Sequence, residues 1–434
     1  MKNPLLEIVR KQKQKEAVGI FSVCTANPLV IEATIRFAKK NDIYVLLEAT
    51  ANQVNQEGGY TGMKADNYRD FVYEIADKNG LSREKIILGG DHLGPLTWTN
   101  EDDEVAMQKA EDLIGSYIAA GFTKLHIDAS MRLKSDSLSE ALSNEKIVMR
   151  TIRLAKAAKI AFEARKILVP NAVHPVFVIG SEVPIPGGSF DDDEIHITTT
   201  KDLKESLNEY EGEFIKNKLD DIWENIVAVV VQPGVEFGNH DIHEYSRENA
   251  AFLSKMIRNY NKIVFEGHST DYQTKEHLRE MVEDGIAILK VGPGLTFALR
   301  EVLYLLELCE LELIEVSQRS KFKAELDAAM LENEQYWKKY YSDDDLNEDF
   351  QRKYSYSDRC RYYLNTGRVE TAINKLFCNF DNLELPLPLV SNYFPNQYQK
   401  IRNRVLSNTA ESIMFDYLFG VLDDYLFATQ QQLL

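Results

Sequence analysis

KIVFEGHSTDYQTKEHLREMVEDGIAILKVGPG (residues 262–294) is the stretch that decides the fold. It opens on a short β-branched apolar run and passes through TKEHLREMVEDG, where apolar residues recur at helical spacing up to Gly285. It closes on a second apolar run, AILKVGPG (287–294). Strand, helix and strand in so short a span make a βαβ unit with parallel strands. The same alternation recurs along the chain before it, in VGIFSVCTA (18–26), IYVLLEATA (43–51), IILGGDHL (86–93), TKLHIDAS (123–130), PVFVIGSEV (175–183) and VAVVVQPG (227–234). Helical candidates such as PLVIEATIRFAKKND and AMQKAEDLIGSYIAAG lie between these runs, the second ending in a glycine suited to a helix stop. Eight strands and eight helices over about 300 residues fit an α/β protein of the (β/α)8 TIM barrel type better than an open doubly wound sheet.

Past residue 315 the chain turns polar, aromatic and helical, as in SKFKAELDAAMLENEQYWKKYY. The expected organisation is a barrel over residues 1–315 and a helical C-terminal extension over 316–434. LELPLPLVSNYFPNQY (383–398) holds three prolines and is expected to run extended, over the barrel surface or across its mouth.

The 434 residues are 44% hydrophobic, enough for a large core, which excludes global disorder. Fifty basic against 68 acidic side chains give a net charge of −18, and such a surface repels phosphate backbones and anionic lipid. Nucleic acid and membrane are therefore not expected partners. MKNPLLEIVRKQKQKEAVGIF lacks the pattern of a secretion signal, so a cytoplasmic location is expected. Cys24, Cys309, Cys360 and Cys378 are widely spaced with no C-x-x-C pair, which argues against a disulfide framework or a structural zinc knot.

A barrel builds its site at the carboxyl ends of its strands. Asp91 and His92 end the third run in GGDHLGP, where Gly89, Gly90, Gly94 and Pro95 permit close backbone approach and an abrupt turn. Alone, the dipeptide fits a strand-end cap equally well. Weight comes from coincidence: Glu48, Asp128, Glu182, Gln232, Glu236, Glu266, His268 and Lys290 stand at or near the ends of other strands. Carboxylates gathered in one mouth repel one another unless a cation is present, and a divalent metal resolves the conflict. Mixed nitrogen and oxygen donors fit zinc, manganese, cobalt, nickel or iron. His126 alternates with Asp128 and shares its inward face, as a layer residue or as a ligand. Lys290, inside an apolar run, needs a carboxylate, a phosphate or a carbonyl substrate beside it. In NQVNQEGGYTGM (52–63) the amides of Gln53 and Asn55 suit sugar hydroxyls, and VGPGLTF (291–297) sets glycines before a helix whose amides can hold an anion.

The stretches FSVCTANPLVIEAT, LLEATANQVNQEGGYTGM, GGDHLGP, KLHIDASM, VIGSEVPIPGG, VVQPGVEFG, EGHSTDYQT and LKVGPGLTFALRE, with KYSYSDRCRYY and PLPL in the tail, closely resemble the non-catalytic Z subunit family of class II D-tagatose-1,6-bisphosphate aldolase. The resemblance implies a (β/α)8 barrel and a role in galactitol, N-acetylgalactosamine or tagatose catabolism. In that role the Z chain supports the activity and stability of a separate catalytic Y subunit. The family is in turn similar to the catalytic class II aldolases. On that similarity Asp91 matches their catalytic aspartate, Asp128 the aspartate of an I-D-G-S stretch and Glu182 the glutamate before a G-G loop, which makes these three the expected catalytic residues. His92 matches the first metal histidine, while the second and third positions read Glu236 and Glu266, with His268 two residues on. These four are the expected metal ligands. Glu48, Gln53, Asn55, Gln232, Ser269, Asp271 and Lys290 are the expected contacts to a ketose or ketose phosphate. Where the aldolases have V-N on the eighth strand this chain has Gly292, which removes a polar amide. Two functions follow: an aldolase subunit acting through a Y-type partner, or a metal-dependent ketohexose or ketohexose-phosphate C4 epimerase or isomerase acting alone. A scaffold barrel with a vestigial pocket would need no metal, and a homo-oligomer is compatible with each.

Overall fold

The structure, a computed structural model, describes residues 2–137, 142–180, 197–341, 347–381 and 383–434. Each of the eight apolar runs delivers one parallel strand: β1 Ile20–Cys24, β2 Val45–Thr50, β3 Ile86–Leu93, β4 Lys124–Ile127, β5 Val176–Ile179, β6 Ile226–Val231, β7 Val264–Gly267 and β8 Ile286–Val291. They close into a barrel in which β8 pairs with β1, so the chain is a (β/α)8 TIM barrel with further helices at its C-terminal end. The glycine stops act as expected. Helix Asp103–Ala120 ends at Gly121, whose φ of 101° is the left-handed geometry that lets its N–H turn back to Tyr117 and Ile118.

Alternation along the strands makes two cores. Outward-facing Phe21, Leu47, Leu125, Phe177, Phe265 and Leu289 join the layer between sheet and helices. Inward-facing Ile20, Leu46, Ile87, Val176, Val264 and Ile288 fill the lower half of the barrel. Helix Pro4–Lys13 seals that end with Leu5, Ile8 and Val9. Asn3 caps this helix by accepting from the Leu5 amide at 3.0 Å and ties it to the barrel by donating to the Thr123 carbonyl at 2.7 Å.

The last long helix, Ala410–Thr429, packs against β1 and against helices Pro28–Asn41, Lys275–Glu283 and Pro293–Leu313. Tyr425 meets Phe21 with ring centroids 6.0 Å apart, the Gly19 amide donates to the Thr429 carbonyl at 2.8 Å, and the Phe21 amide donates to Gln431 Oε1 at 3.2 Å. The wall over β1 is thus completed by residues from the far end of the sequence. The proline-rich stretch departs from expectation. It forms helices Leu387–Tyr393 and Pro395–Arg402, because each proline falls before the helix or in its first turn, where no backbone N–H is needed. Among the described residues, no helix is long and apolar enough to cross a membrane.

Candidate functional site

Above the apolar plug the inward positions change from hydrocarbon to charge. Glu48 on β2, Lys124 on β4, Glu266 on β7 and Lys290 on β8 are buried in one ionic layer. Lys124 Nζ lies 2.8 Å from Glu48 Oε1 and 2.8 Å from Glu266 Oε2. Lys290 Nζ lies 2.9 Å from Glu48 Oε2, 3.4 Å from Glu266 Oε1 and in contact with Asp91 Oδ1. Ser22 completes the layer by donating to Glu48 Oε1 at 2.6 Å. Both lysines find the carboxylates that burial requires. Burial opposes the charge of Lys290, but Asp91, Cys24, Glu266 and Glu48 outweigh it and hold the ammonium well above its ordinary range.

One level higher stand Asp91, His92, His126 and His268, whose potential ligand atoms all lie within 4.8 Å of one another. Strict alternation would turn His92 away from Asp91. A register shift between Gly90 and Leu93 and a φ of 92° at His92 bring both side chains to the mouth. A non-glycine residue held there costs about 1–3 kcal/mol, which is strain kept at a site rather than in the plug. His92 Nδ1 pairs with Asp128 Oδ2 at 2.9 Å, and Ser130 Oγ fixes the other oxygen of Asp128 at 2.7 Å. Such a carboxylate orients the imidazole so that its second nitrogen faces a metal. His268 Nε2 lies 3.0 Å from Glu266 Oε1. His126 is engaged at both nitrogens, with Asp91 Oδ1 at 3.0 Å and the Gly180 carbonyl at 2.7 Å, so it positions Asp91.

Burial would lift Asp91, yet His92 and Lys290 hold its carboxyl well below the usual range. Burial works against the charge of His92, and Asp91 and Asp128 overcome it, so that imidazole sits above its ordinary value. His268 goes the other way, pushed down to about 3 by burial, with Lys290 and His92 adding to it. Among the described residues, four carboxylates, Glu48, Asp91, Asp128 and Glu266, face two ammonium groups in this interior. The excess of negative charge beside His92 and His268 is what a divalent cation would balance, so the donor set fits a metal held by Asp91, His92 and His268.

The mouth is a cavity of about 210 Å3 lined by Asp91, His92, Asp128, His268 and Lys290 at its floor and by Gln53, Ser269 and Asp271 at its sides. Other expected site residues are placed differently. Asn55 orders its own loop, accepting from the amides of Glu57 and Gly59, and Gln232 accepts from Gly234 and Val235. Glu236, in a short hairpin after β6, accepts from the Phe237 amide, and Glu266 lies a level below the donor cluster, shared between lysines and His268. Asp271 Oδ1 accepts from the amides of Gly292 and Gly294 at 2.9 and 2.7 Å, filling the anion cradle that the glycines of 291–297 offered. A side chain at Gly292 would press on the Cys24 carbonyl at 3.1 Å. Glu182 lies outside the described residues.

Sequence reasoning did not find Lys124, although it alternates with His126 and Asp128 in TKLHIDAS and so shares their face. Nor did it find Arg361 and Tyr362, which reach the same cavity from the C-terminal helices.

A family model described as D-tagatose-1,6-bisphosphate aldolase subunit GatZ/KbaZ-like matches residues 5–430. The crystal structure of a probable tagatose 6 phosphate kinase from Sinorhizobium meliloti 1021 is similar at 40% identity, over 95% of this chain and 100% of that one, with a TM-score of 0.86. The fructose-bisphosphate aldolase of Campylobacter jejuni matches at 14% identity, over 86% of this chain and 90% of that one, with a TM-score of 0.43.

Proposed function

The chain belongs to the D-tagatose-1,6-bisphosphate aldolase subunit GatZ/KbaZ-like family, and on that premise we propose that it binds a divalent metal and a ketose phosphate at this mouth, as an aldolase subunit that supports a catalytic Y-type partner. The observation that carries the ligand half is the buried convergence of Asp91, His92 and His268 above the Glu48–Lys124–Glu266–Lys290 layer. Negative charge left over above a layer whose lysines are already paired is a standing cost, so the cluster argues for a cationic ligand. The name of the Sinorhizobium meliloti relative points to a tagatose phosphate as that ligand. Asp91, His92 and His268 would hold the ion, which would supply Lewis-acid polarisation of the ketose. Asp91, Asp128 and Glu182 are the proposed proton-handling groups, and Glu266, a level below, is proposed to act on the metal through His268. Gln53, Ser269 and Asp271, which line the mouth, with Lys290 beneath, are the proposed hold on the sugar.

A second reading has the chain act alone as a C4 epimerase of ketohexoses or their phosphates. The observation favouring it is that Asp91 and Asp128 each meet an imidazole, at 3.0 and 2.9 Å, a pairing suited to general acid–base exchange. One experiment separates the two. The purified chain, its metal content measured, is assayed with and without a Y-type subunit for cleavage of tagatose 1,6-bisphosphate, and alone for interconversion of fructose and tagatose 6-phosphates. Stimulated cleavage with a stable complex supports the subunit reading; interconversion by the chain alone supports the epimerase; a metal-free chain inert in both assays rejects the ligand half.

A further inference from the structure

We infer that Arg361, carried into the mouth by the C-terminal helices, is the residue that binds the phosphate of the ligand. The sugar part of this inference rests on the ketose reading above, whereas the anion part stands on geometry of its own.

In a barrel of this kind the amides at the start of the helix after β8 are the natural place for a phosphate. Here helix Pro293–Leu313 starts at the mouth, but Asp271 Oδ1 already accepts from the Gly292 and Gly294 amides at 2.9 and 2.7 Å. A phosphate would have to displace a buried carboxylate, so an anionic ligand must find its cation elsewhere. Lys124 and Lys290 are consumed by Glu48, Glu266 and Asp91, and Arg300 is paired with Asp358 at 2.9 Å.

Arg361 differs from all of these. Its guanidinium donates to the backbone carbonyls of Ser357 and Asp358 and to the Tyr362 hydroxyl, and among the described residues no carboxylate pairs with it. Neutral acceptors fix its position without cancelling its charge. It stands half-buried, its carbon 4.6 Å above the Tyr362 ring. Arg361 also borders two cavities, the mouth that holds the donor cluster and a second one of about 280 Å3 on its other side, with Tyr60 and Tyr362 lining both. A planar guanidinium held in place and partly shielded from water offers paired N–H groups that match two oxygens of a phosphate. A ketose monophosphate would then lie with its hydroxyls toward His92 and His268 and its ester toward Arg361, so that the tail selects phosphorylated over free sugar.

The test is calorimetric titration of the full chain with inorganic phosphate, tagatose 6-phosphate and tagatose, repeated on Arg361→Ala and Arg361→Lys, with metal content and melting temperature measured for each. Wild type should prefer the phosphate ester over the free sugar by about ten- to a hundredfold, the range expected for hydrogen bonds to a charged group. Arg361→Ala should abolish that preference and the binding of inorganic phosphate while metal content stays the same, and Arg361→Lys should recover part of both. Should Arg361→Ala fail to fold, Arg361→Gln takes its place, and an undiminished phosphate preference in that uncharged variant would overturn the proposal. Equal binding of tagatose and its phosphate by wild type overturns the anion site and spares the ketose reading. Binding of inorganic phosphate that depends on Arg361, with neither sugar bound, supports the anion site and rejects the ketose reading.

Discussion

Below the level of Ser22 the barrel is filled by Ile20, Leu46, Ile87, Val264 and Ile288; above it, by Glu48, Lys124, Glu266, Lys290 and the Asp91 cluster. β2, β3, β7 and β8 supply both halves through the same alternation, while β5 and β6 stay apolar inside with Val178, Ala228 and Val230. The lower half is sealed by helix Pro4–Lys13 and gains stability by removing hydrocarbon from water, about 1.5–3 kcal/mol for each large side chain. The upper half is held by charges that are costly to bury and repay the cost only when all partners are present. A barrel end can therefore be read as packing or as chemistry from what its inward positions are made of, before any ligand is known.

The contrast can be broken most severely at Lys124. Lys124→Met leaves Glu48 and Glu266 to Lys290, which Asp91 also claims, and the expected loss is about 3–5 kcal/mol in chemical denaturation. A loss below about 1 kcal/mol would mean that the upper layer is not an ionic unit. In the lower half, Ile288→Ala should cost about 2–5 kcal/mol through the cavity it leaves, with bound metal per chain unchanged. Were metal content to fall as well, the two halves would not be separable. Asp128→Asn should do the reverse, weakening metal affinity about 10- to 100-fold through loss of the charge that orients His92, with little change in the denaturation midpoint. The smallest effect is at the seal. Asn3→Ala removes the cap of the first helix and should lower stability by about 1 kcal/mol, leaving metal binding untouched.

The lower half and the order of the strands were legible because they depend on local pattern: β-branched runs, glycine stops and helical spacing all point the same way. IILGGDHL coincides with β3 to the residue. The Asp91–His92 pair was legible as a candidate, but the bulge that turns both inward was not, because a positive φ at a histidine has no signature in composition. His126 was left open between layer and ligand, and only the Gly180 carbonyl at its second nitrogen decides for positioning. The helices of the proline-rich stretch were misread although the signal was there, since proline at the front of a helix is favourable. Arg361 could not have been found by local reading, for its place in the mouth is set by packing between segments more than 300 residues apart, such as Asn27 with Asn365, 338 positions on.

The hydrogen bond from the Phe21 amide to Gln431 spans 410 positions of sequence. At a synthesis rate of roughly 5–20 residues per second, the first strand leaves the ribosome roughly 20–80 s before the helix that covers it. Throughout that interval Phe21 can meet Phe37 from the next helix but lacks Tyr425, so one side of the first strand stays open, and nascent chains of this protein should lean on a chaperone until the closing helix is made.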